Sequence, residues 1–249
     1  MSLSGRADGA DLGRAAAAMS AFRLGRRPVR RTGYGAMQLG GPPYGTGRPA
    51  DRATAVGVLG AAVAAGVDHI DTAQYYGSGL VNDLIREALH PYPPGLAIVS
   101  KVAVGDDAGA AVSSGEARQL RAGIEANLRA LRIDQLVAVN LRLAGAGPVD
   151  SRFDDQIAVM VQARDEGLIA GIGLSNVGLE QFRHAVLGTE IVCVQNMFHL
   201  AARRSAPVLE ACLSRGIAFV PFCPLGWPRG SANPVLTSPW SSGPPAASA

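Results

Sequence analysis

Apolar positions along the chain follow two periods in turn. Short apolar runs of strand length alternate with stretches where apolar residues return every three or four positions, the spacing of a helix with one buried face. The runs are Gly33 to Met37, His69 to Asp71, Leu96 to Ser100 closed by Lys101, Gln135 to Leu141, Ile169 to Leu174, Ile191 to Asn196 and Ile217 to Phe222. The first helical stripe, Ala55, Leu59, Ala62 and Val63, follows a capping Asp51 and stops at Gly66. Leu80, Leu84, Ile85 and Leu89 make the second, ended by the turn Pro91-Tyr92-Pro93-Pro94. A Ser113 and Glu116 capping box opens the third, with Leu120, Ile124, Leu128 and Leu131 on one face. Ser151 with Asp154 starts a helix carrying Ile157, Met160 and Val161 and ended by Gly167; Leu179, Phe182 and Val186 mark another, and Pro207 to Leu213 the last. Ahead of all these, Phe22-Arg23-Leu24 and Pro28-Val29 flank Gly25-Arg26-Arg27 in a hairpin pattern, and Gly40 to Pro49 reads as a loop.

Strand and helix in strict alternation imply a parallel sheet with helices outside it. Seven strand units and six following helices are readable. Residues 1–21 read as a disordered leader, 22–236 as the folded body, and 237–249 as a Ser/Pro/Ala-rich disordered tail. Past Trp227 no periodicity supports an eighth strand or C-terminal helices. A parallel sheet that ends there exposes two edges, which natural sheets avoid. The expectations are therefore a truncated chain, a frameshift near Ser238, or a partner, including a second copy, that covers the open edge.

Composition narrows the class further. With 249 residues and 48% apolar content the chain can bury a large core. Its formal charge of +3 comes from dispersed arginines, and the one local cluster, Arg26, Arg27, Arg30 and Arg31, flanks a turn, so nucleic-acid binding is not expected. Cys193, Cys212 and Cys223 lack metal-ligand spacing and are odd in number, which favours a reducing cytoplasm and no metal site. No stretch approaches the ~20 apolar residues of a membrane span.

Two strand ends stand apart from a structural reading. The first is His69-Ile70-Asp71-Thr72-Ala73-Gln74-Tyr75-Tyr76-Gly77, where a strand ends in a carboxylate and delivers two phenols before a glycine. Alone, such an Asp is commonly a cap or turn residue. The second is Lys101, the only lysine among 23 basic side chains. A lysine retained where arginine is favoured points to a compact ammonium with a specific task.

These ends resemble the aldo-keto reductases, whose motif reads Asp-Thr-Ala-x-x-Tyr-Gly followed by a strand ending in Lys. The resemblance covers roughly residues 22 to 236 and implies a (β/α)8 TIM barrel with its chemistry at the C-terminal rim of the strands. It implies hydride transfer from NADPH to a small aldehyde or ketone, with Tyr76 as proton donor. Lys101 is expected to lower the phenol's pKa, and Asp71 to hold Lys101 charged and aimed. Ser175, Asn176 and Gln195 match the family's nicotinamide carboxamide partners. Phe222 matches the ring that stacks on the nicotinamide, Pro224, Leu225 and Gly226 lead toward the pyrophosphate loop, and Gly35, Ala36 and Met37 line the rim beside the cofactor. The family's hairpin plugs the barrel bottom at the position of residues 22–29.

Two departures qualify this. Where the family usually carries a rim histidine, this chain has Arg142, at the end of Val139-Asn140-Leu141-Arg142. That ending resembles a bacterial branch that includes pyridoxal reductases, which makes pyridoxal the most specific substrate expectation. The alternative for Arg142 is an outward side chain paired with Asp150 or Asp154. Beyond the seventh strand, the family's loop for the adenosine 2′-phosphate has no counterpart here. The competing reading of the whole chain is thus a truncated, catalytically impaired relative with no stable cofactor binding.

Overall fold

The computed structural model describes residues 22–41, 51–102 and 117–226. Within them β1 (Phe22–Leu24) and β2 (Arg27–Val29) form an antiparallel hairpin. Seven further strands are β3 (Tyr34–Gly35), β4 (His69–Asp71), β5 (Ala97–Val102), β6 (Ala138–Arg142), β7 (Ile172–Ser175), β8 (Ile191–Gln195) and β9 (Ala218–Phe219). They pair in chain order as one parallel sheet. One α-helix lies in each of the six connections: α1 (Arg52–Ala64), α2 (Leu80–Leu89), α3 (Ala117–Leu131), α4 (Ser151–Asp165), α5 (Leu179–Gly188) and α6 (Ala206–Leu213).

Side chains alternate along a strand, so the sheet has an outer and an inner face. Ile70, Ile98, Val139, Leu141, Leu174 and Val194 face outward and share the main core with Leu59, Leu84, Ile124, Met160 and Phe182 of the helices. The inner face gathers Ala97, Val99, Ala138, Cys193 and Ala218 with Leu24 and Val29 of the hairpin in a smaller second core. Ala97 of β5 and Ala218 of β9 stand four strands apart yet meet in that core, so the sheet is curled and the hairpin fills its closed end. The architecture is that of a partial (β/α)8 barrel: the alternation predicts its parallel sheet with helices outside, and the family resemblance its barrel form. Among the described residues β3 and β9 are the sheet's edges.

Several boundaries differ from the expectation for physical reasons. The run Gly33 to Met37 yields only two strand residues, because Ala36–Gly40 tightens into a 3-10 turn that buries Ala36 and Leu39 against the helices. The last run pairs only over Ala218–Phe219: Pro221 has no N–H to donate, and pairing returns at Phe222 as an isolated bridge to Met197. Leu136 and Ile169 likewise meet as an isolated bridge ahead of the β6–β7 ladder, so their apolar runs mark burial earlier than they mark pairing. Helix α4 is capped by Asp150, whose carboxylate accepts from the Phe153 N–H at 2.9 Å, not by Ser151. Asp51 caps α1 as expected, accepting from Ala53 N and Thr54 N at 3.0 Å each. The expected leader, most of the Gly40 to Pro49 loop, the Ser113 and Glu116 capping box, and the stretch after Trp227 expected to lack an eighth unit and to end in a disordered tail lie outside the described residues.

Candidate active site

The strand period that sends apolar residues outward sends Asp71, Lys101, Asn140, Arg142, Ser175, Cys193 and Gln195 toward the inner face. Gly173 on β7 makes room among them: a Cβ there would lie 2.1 Å from Asn140 Oδ1 and 2.7 Å from Cys193 Sγ. Below the rim, a small cavity is bounded by Leu24, His69, Asp71, Val99, Asn140, Cys193, Gln195 and Val220.

Lys101 is almost wholly enclosed, with 2% of its surface exposed. An ammonium at that depth requires compensation. Its Nζ donates to Asp71 Oδ2 at 2.5 Å and to the Thr72 carbonyl at 3.1 Å. The other Asp71 oxygen accepts from Gln195 Nε2 at 2.9 Å. The carboxylate is thus held from two strands, β5 and β8.

Tyr76 and Tyr75 are both buried, their rings edge-to-face with centroids 5.1 Å apart. Lys101 Nζ lies 5.1 Å from the Tyr76 ring centroid, over its face. Here the structure corrects the sequence reading. Burial raises the Tyr76 phenol well above its usual pKa, Asp71 raises it further, Arg142 opposes the rise, and Cys223 adds to it. Arg142 thus pulls this phenol down, while the Lys101 ammonium is directed at Asp71 and the Thr72 carbonyl and stands over the face of the Tyr76 ring. The field of Lys101 is felt instead at Tyr75, whose phenol is raised by burial and by Tyr76, and pulled down by Lys101 and Arg142. The Tyr75 hydroxyl is buried without a hydrogen-bond partner.

Arg142 does not point outward. Its guanidinium carbon lies 5.5 Å from the centroid of the Phe222 ring, and Nη1 donates to Ser175 Oγ at 3.5 Å. Asp150 is occupied as a cap and Asp154 pairs with His184 at 2.6 Å, so the alternative pairing of Arg142 is overturned.

The residues expected around a nicotinamide divide into two groups. Ser175, Gln195, Arg142 and Phe222 come together on the inner face. Gln195 Oε1 is buried with no partner, and a carboxamide N–H₂ is the kind of donor it lacks, so this end of the site fits the expected cofactor. Asn176 takes a left-handed backbone with φ 59° and its Nδ2 donates to the Leu143 carbonyl at 3.2 Å, so it braces the β6 loop. Gln195 is already committed through Nε2 to Asp71, a partner that the sequence did not reveal. Gly35 is exposed, Ala36 fully buried and Met37 half-buried, and Pro224 and Leu225 are exposed just before the described residues end at Gly226. Cys193, an apolar strand residue by sequence, faces the same cavity, and burial pushes its thiol up to about 12. Among the described residues no cluster of side chains could hold a metal ion, and no helix is long and apolar enough to cross a membrane.

The model of the family described as "Aldo/keto reductase family" matches residues 31–233, which contain the whole parallel sheet. Pyridoxine 4-dehydrogenase of Escherichia coli (strain K12) is 43% identical over 210 residues, covering 82% of this chain and 73% of that enzyme. An uncharacterized oxidoreductase of Schizosaccharomyces pombe is 33% identical over 213 residues, covering 82% of this chain and 65% of its own length. Among solved structures, a thermostable aldo-keto reductase in complex with the inhibitor epalrestat superimposes with a TM-score of 0.71 at 27% identity, covering 83% of this chain and 73% of that one. An aldo/keto reductase from Klebsiella pneumoniae in complex with NADP and acetate gives 0.66 at 25% identity, covering 82% and 68%. Strand order, inner-face polar cluster and sequence agree: the chain belongs to the aldo/keto reductase family of oxidoreductases.

Proposed function

We propose that this protein reduces a small aldehyde or ketone with NADPH, and that pyridoxal is its substrate. The observation that carries the reading is the enclosed Asp71–Lys101 pair against the face of Tyr76, with Arg142 acting on the same phenol. The E. coli relative is named for the alcohol side of the same couple, and the Klebsiella structure holds NADP in the same fold.

Bound NADPH supplies the hydride. Ser175 and Gln195 Oε1 would hold its carboxamide, and Phe222 would offer a ring face. A substrate carbonyl beside Tyr76 and Arg142 would gain negative charge on its oxygen as the bond to hydrogen forms. Arg142 stabilises that charge by hydrogen bonding, and Tyr76, whose phenol is protonated at neutral pH, delivers the proton. The phenolate left behind faces the Lys101 ammonium across its ring, an arrangement that favours negative charge in the π system. Asp71 keeps the ammonium fixed there. Arg142 also suits the 3-hydroxyl of pyridoxal, which can carry negative charge.

The free thiols Cys193, Cys212 and Cys223 support a cytoplasmic location. The edge strands β3 and β9 support self-association through the edges of the sheet.

The test is NADPH oxidation by the purified chain with pyridoxal and with a neutral aldehyde, with the product identified by chromatography. Pyridoxine formed in proportion to NADPH consumed supports the reading. Tight NADPH binding with no turnover of any aldehyde would leave a cofactor-binding relative, and no NADPH binding at all would favour the impaired alternative.

A further inference from the structure

Outside the sheet, opposite the inner face, four polar side chains with no exposed surface form one continuous network: Thr72, Asn82, Ser100 and Asn127. Thr72 Oγ1 donates to Asn82 Oδ1 at 2.8 Å. Asn82 Nδ2 donates to Asn127 Oδ1 at 2.9 Å and to Gln74 Oε1 at 2.8 Å. Ser100 Oγ donates to the same Asn127 oxygen at 2.6 Å, and Asn127 Nδ2 closes on the Gly123 carbonyl at 2.9 Å. Both protons and the oxygen of Asn82 are used, as are both lone pairs of Asn127 Oδ1. Helix α3 comes this close to β5 because Gly123 has no side chain: a Cβ there would stand 3.2 Å from Val102 Cγ1.

The network's partners are placed in register with the proposed chemical groups. Thr72 follows Asp71, and its carbonyl accepts from Lys101 Nζ. Ser100 precedes Lys101 on β5, so fixing Ser100 outward fixes Lys101 inward. Gln74 lies in the loop that carries Tyr75 and Tyr76. A helix–sheet core needs no polar groups, and burying amides costs free energy unless each is hydrogen-bonded. What a fully satisfied network adds over apolar packing is direction, since its bonds hold only at one distance and angle.

We propose that Asn82 and Asn127 are positioning residues for the reduction: they lock β4, β5 and the tyrosine loop to one another and so set the mutual placement of Asp71, Lys101 and Tyr76. This rests on the roles given above to those three residues. A misplacement of about 1 Å costs on the order of a hundredfold in rate, so loss of the network should fall on turnover.

The experiment compares wild type with Ser100→Ala, Asn82→Leu and Tyr76→Phe, reading kcat, KM for the aldehyde, NADPH Kd by fluorescence titration, and Tm. Ser100→Ala, which loses one hydroxyl and little volume, should lower kcat about tenfold, and Asn82→Leu about a hundredfold. Both should keep KM and NADPH Kd within about threefold of wild type, the pattern of an interaction used only in the transition state. If Asn82→Leu does not fold, Ser100→Ala decides alone. Unchanged kcat in Ser100→Ala, or losses of kcat, affinity and Tm in step, would make the network an ordinary structural contact. Tyr76→Phe separates the two claims. Its failure to lose turnover would remove the site reading and this role with it, while a dead Tyr76→Phe beside a fully active Ser100→Ala would remove the positioning role alone.

Discussion

Replacing Asp71 by Asn removes one charge and almost no volume. Gln195 can accommodate the change by rotating its amide, because its Oε1 has no partner and can accept from the new Nδ2. Lys101 keeps an oxygen at position 71 and the Thr72 carbonyl, but its charge, at 2% exposure, loses its counter-ion. Stranding one partner of a buried pair costs about 3–5 kcal/mol. The side chain of Asp71 is 18% exposed, so some solvent already reaches the pair and the low end, about 3 kcal/mol, is expected. For a domain of this size each kcal/mol moves Tm by about 2–4 °C, so Asp71→Asn should melt about 6–12 °C lower. Adding Lys101→Met removes the stranded charge and fills its channel with an apolar chain of similar length. With the charge gone, only neutral oxygens at position 71 and on Thr72 lose a donor, at about 1–3 kcal/mol against the roughly 3–5 kcal/mol of a stranded charge, so the double variant should melt above Asp71→Asn. Turnover should be lost in both variants, since Asp71→Asn leaves the ammonium without its anchor beneath the Tyr76 ring and Lys101→Met removes the ammonium itself. Differential scanning fluorimetry and NADPH oxidation on the same samples read both quantities. An Asp71→Asn variant as stable as wild type, or a double variant no more stable than the single, would refute the account of Lys101 as a buried charge held by Asp71.

Other outcomes follow from the same geometry. Arg142→His should lower the efficiency with pyridoxal more than with a neutral aldehyde; an unchanged ratio in parallel kinetics would make Arg142 structural. Burial holds the pKa of His69 below its usual value, against the opposing pull of Asp68 and Asp71. The unfolded chain therefore binds more protons here, and stability should fall as pH drops through about 6.5. His69→Phe should flatten that acid limb in thermal melts, and an unchanged limb would assign it elsewhere. For Tyr75 and Tyr76, raised by burial, the sign reverses: stability should decline as pH rises above about 10, where the unfolded phenols ionise first. A flat melting profile across that range would mean that the two phenols are not enclosed.

The alternation of strand-length runs and helical stripes is enough to recover the seven parallel strands and six helices of the described residues, because each element carries its own burial pattern. Boundaries were less legible where burial and pairing part company. Ala36 and Leu39 are as apolar as strand residues but bury through a 3-10 turn, and Pro221 interrupts pairing inside an apolar run. At the site, the ends of β4 and β5 announced Asp71 and Lys101 because a carboxylate and a lone lysine are costly there. What those groups touch was not readable. Lys101 stands over the face of the Tyr76 ring, and Gln195 reaches Asp71 from β8, a contact across 124 positions that no local pattern encodes. Asn82 and Asn127 are hard to single out by sequence because they interrupt otherwise ordinary helical stripes. The signal was present in each being polar at a core-facing position, with Thr72 and Ser100 polar at outward strand positions opposite them.

The central claim is that the Tyr76 hydroxyl delivers the proton in an NADPH-driven carbonyl reduction. Single-turnover oxidation of bound NADPH by pyridoxal in Tyr76→Phe, with NADPH Kd measured on the same protein, tests it most directly. The account predicts a rate about 10²–10⁴-fold below wild type with Kd within about threefold. A Tyr76→Phe variant that turns over at the wild-type rate, or one that loses NADPH binding as severely as turnover, would contradict it.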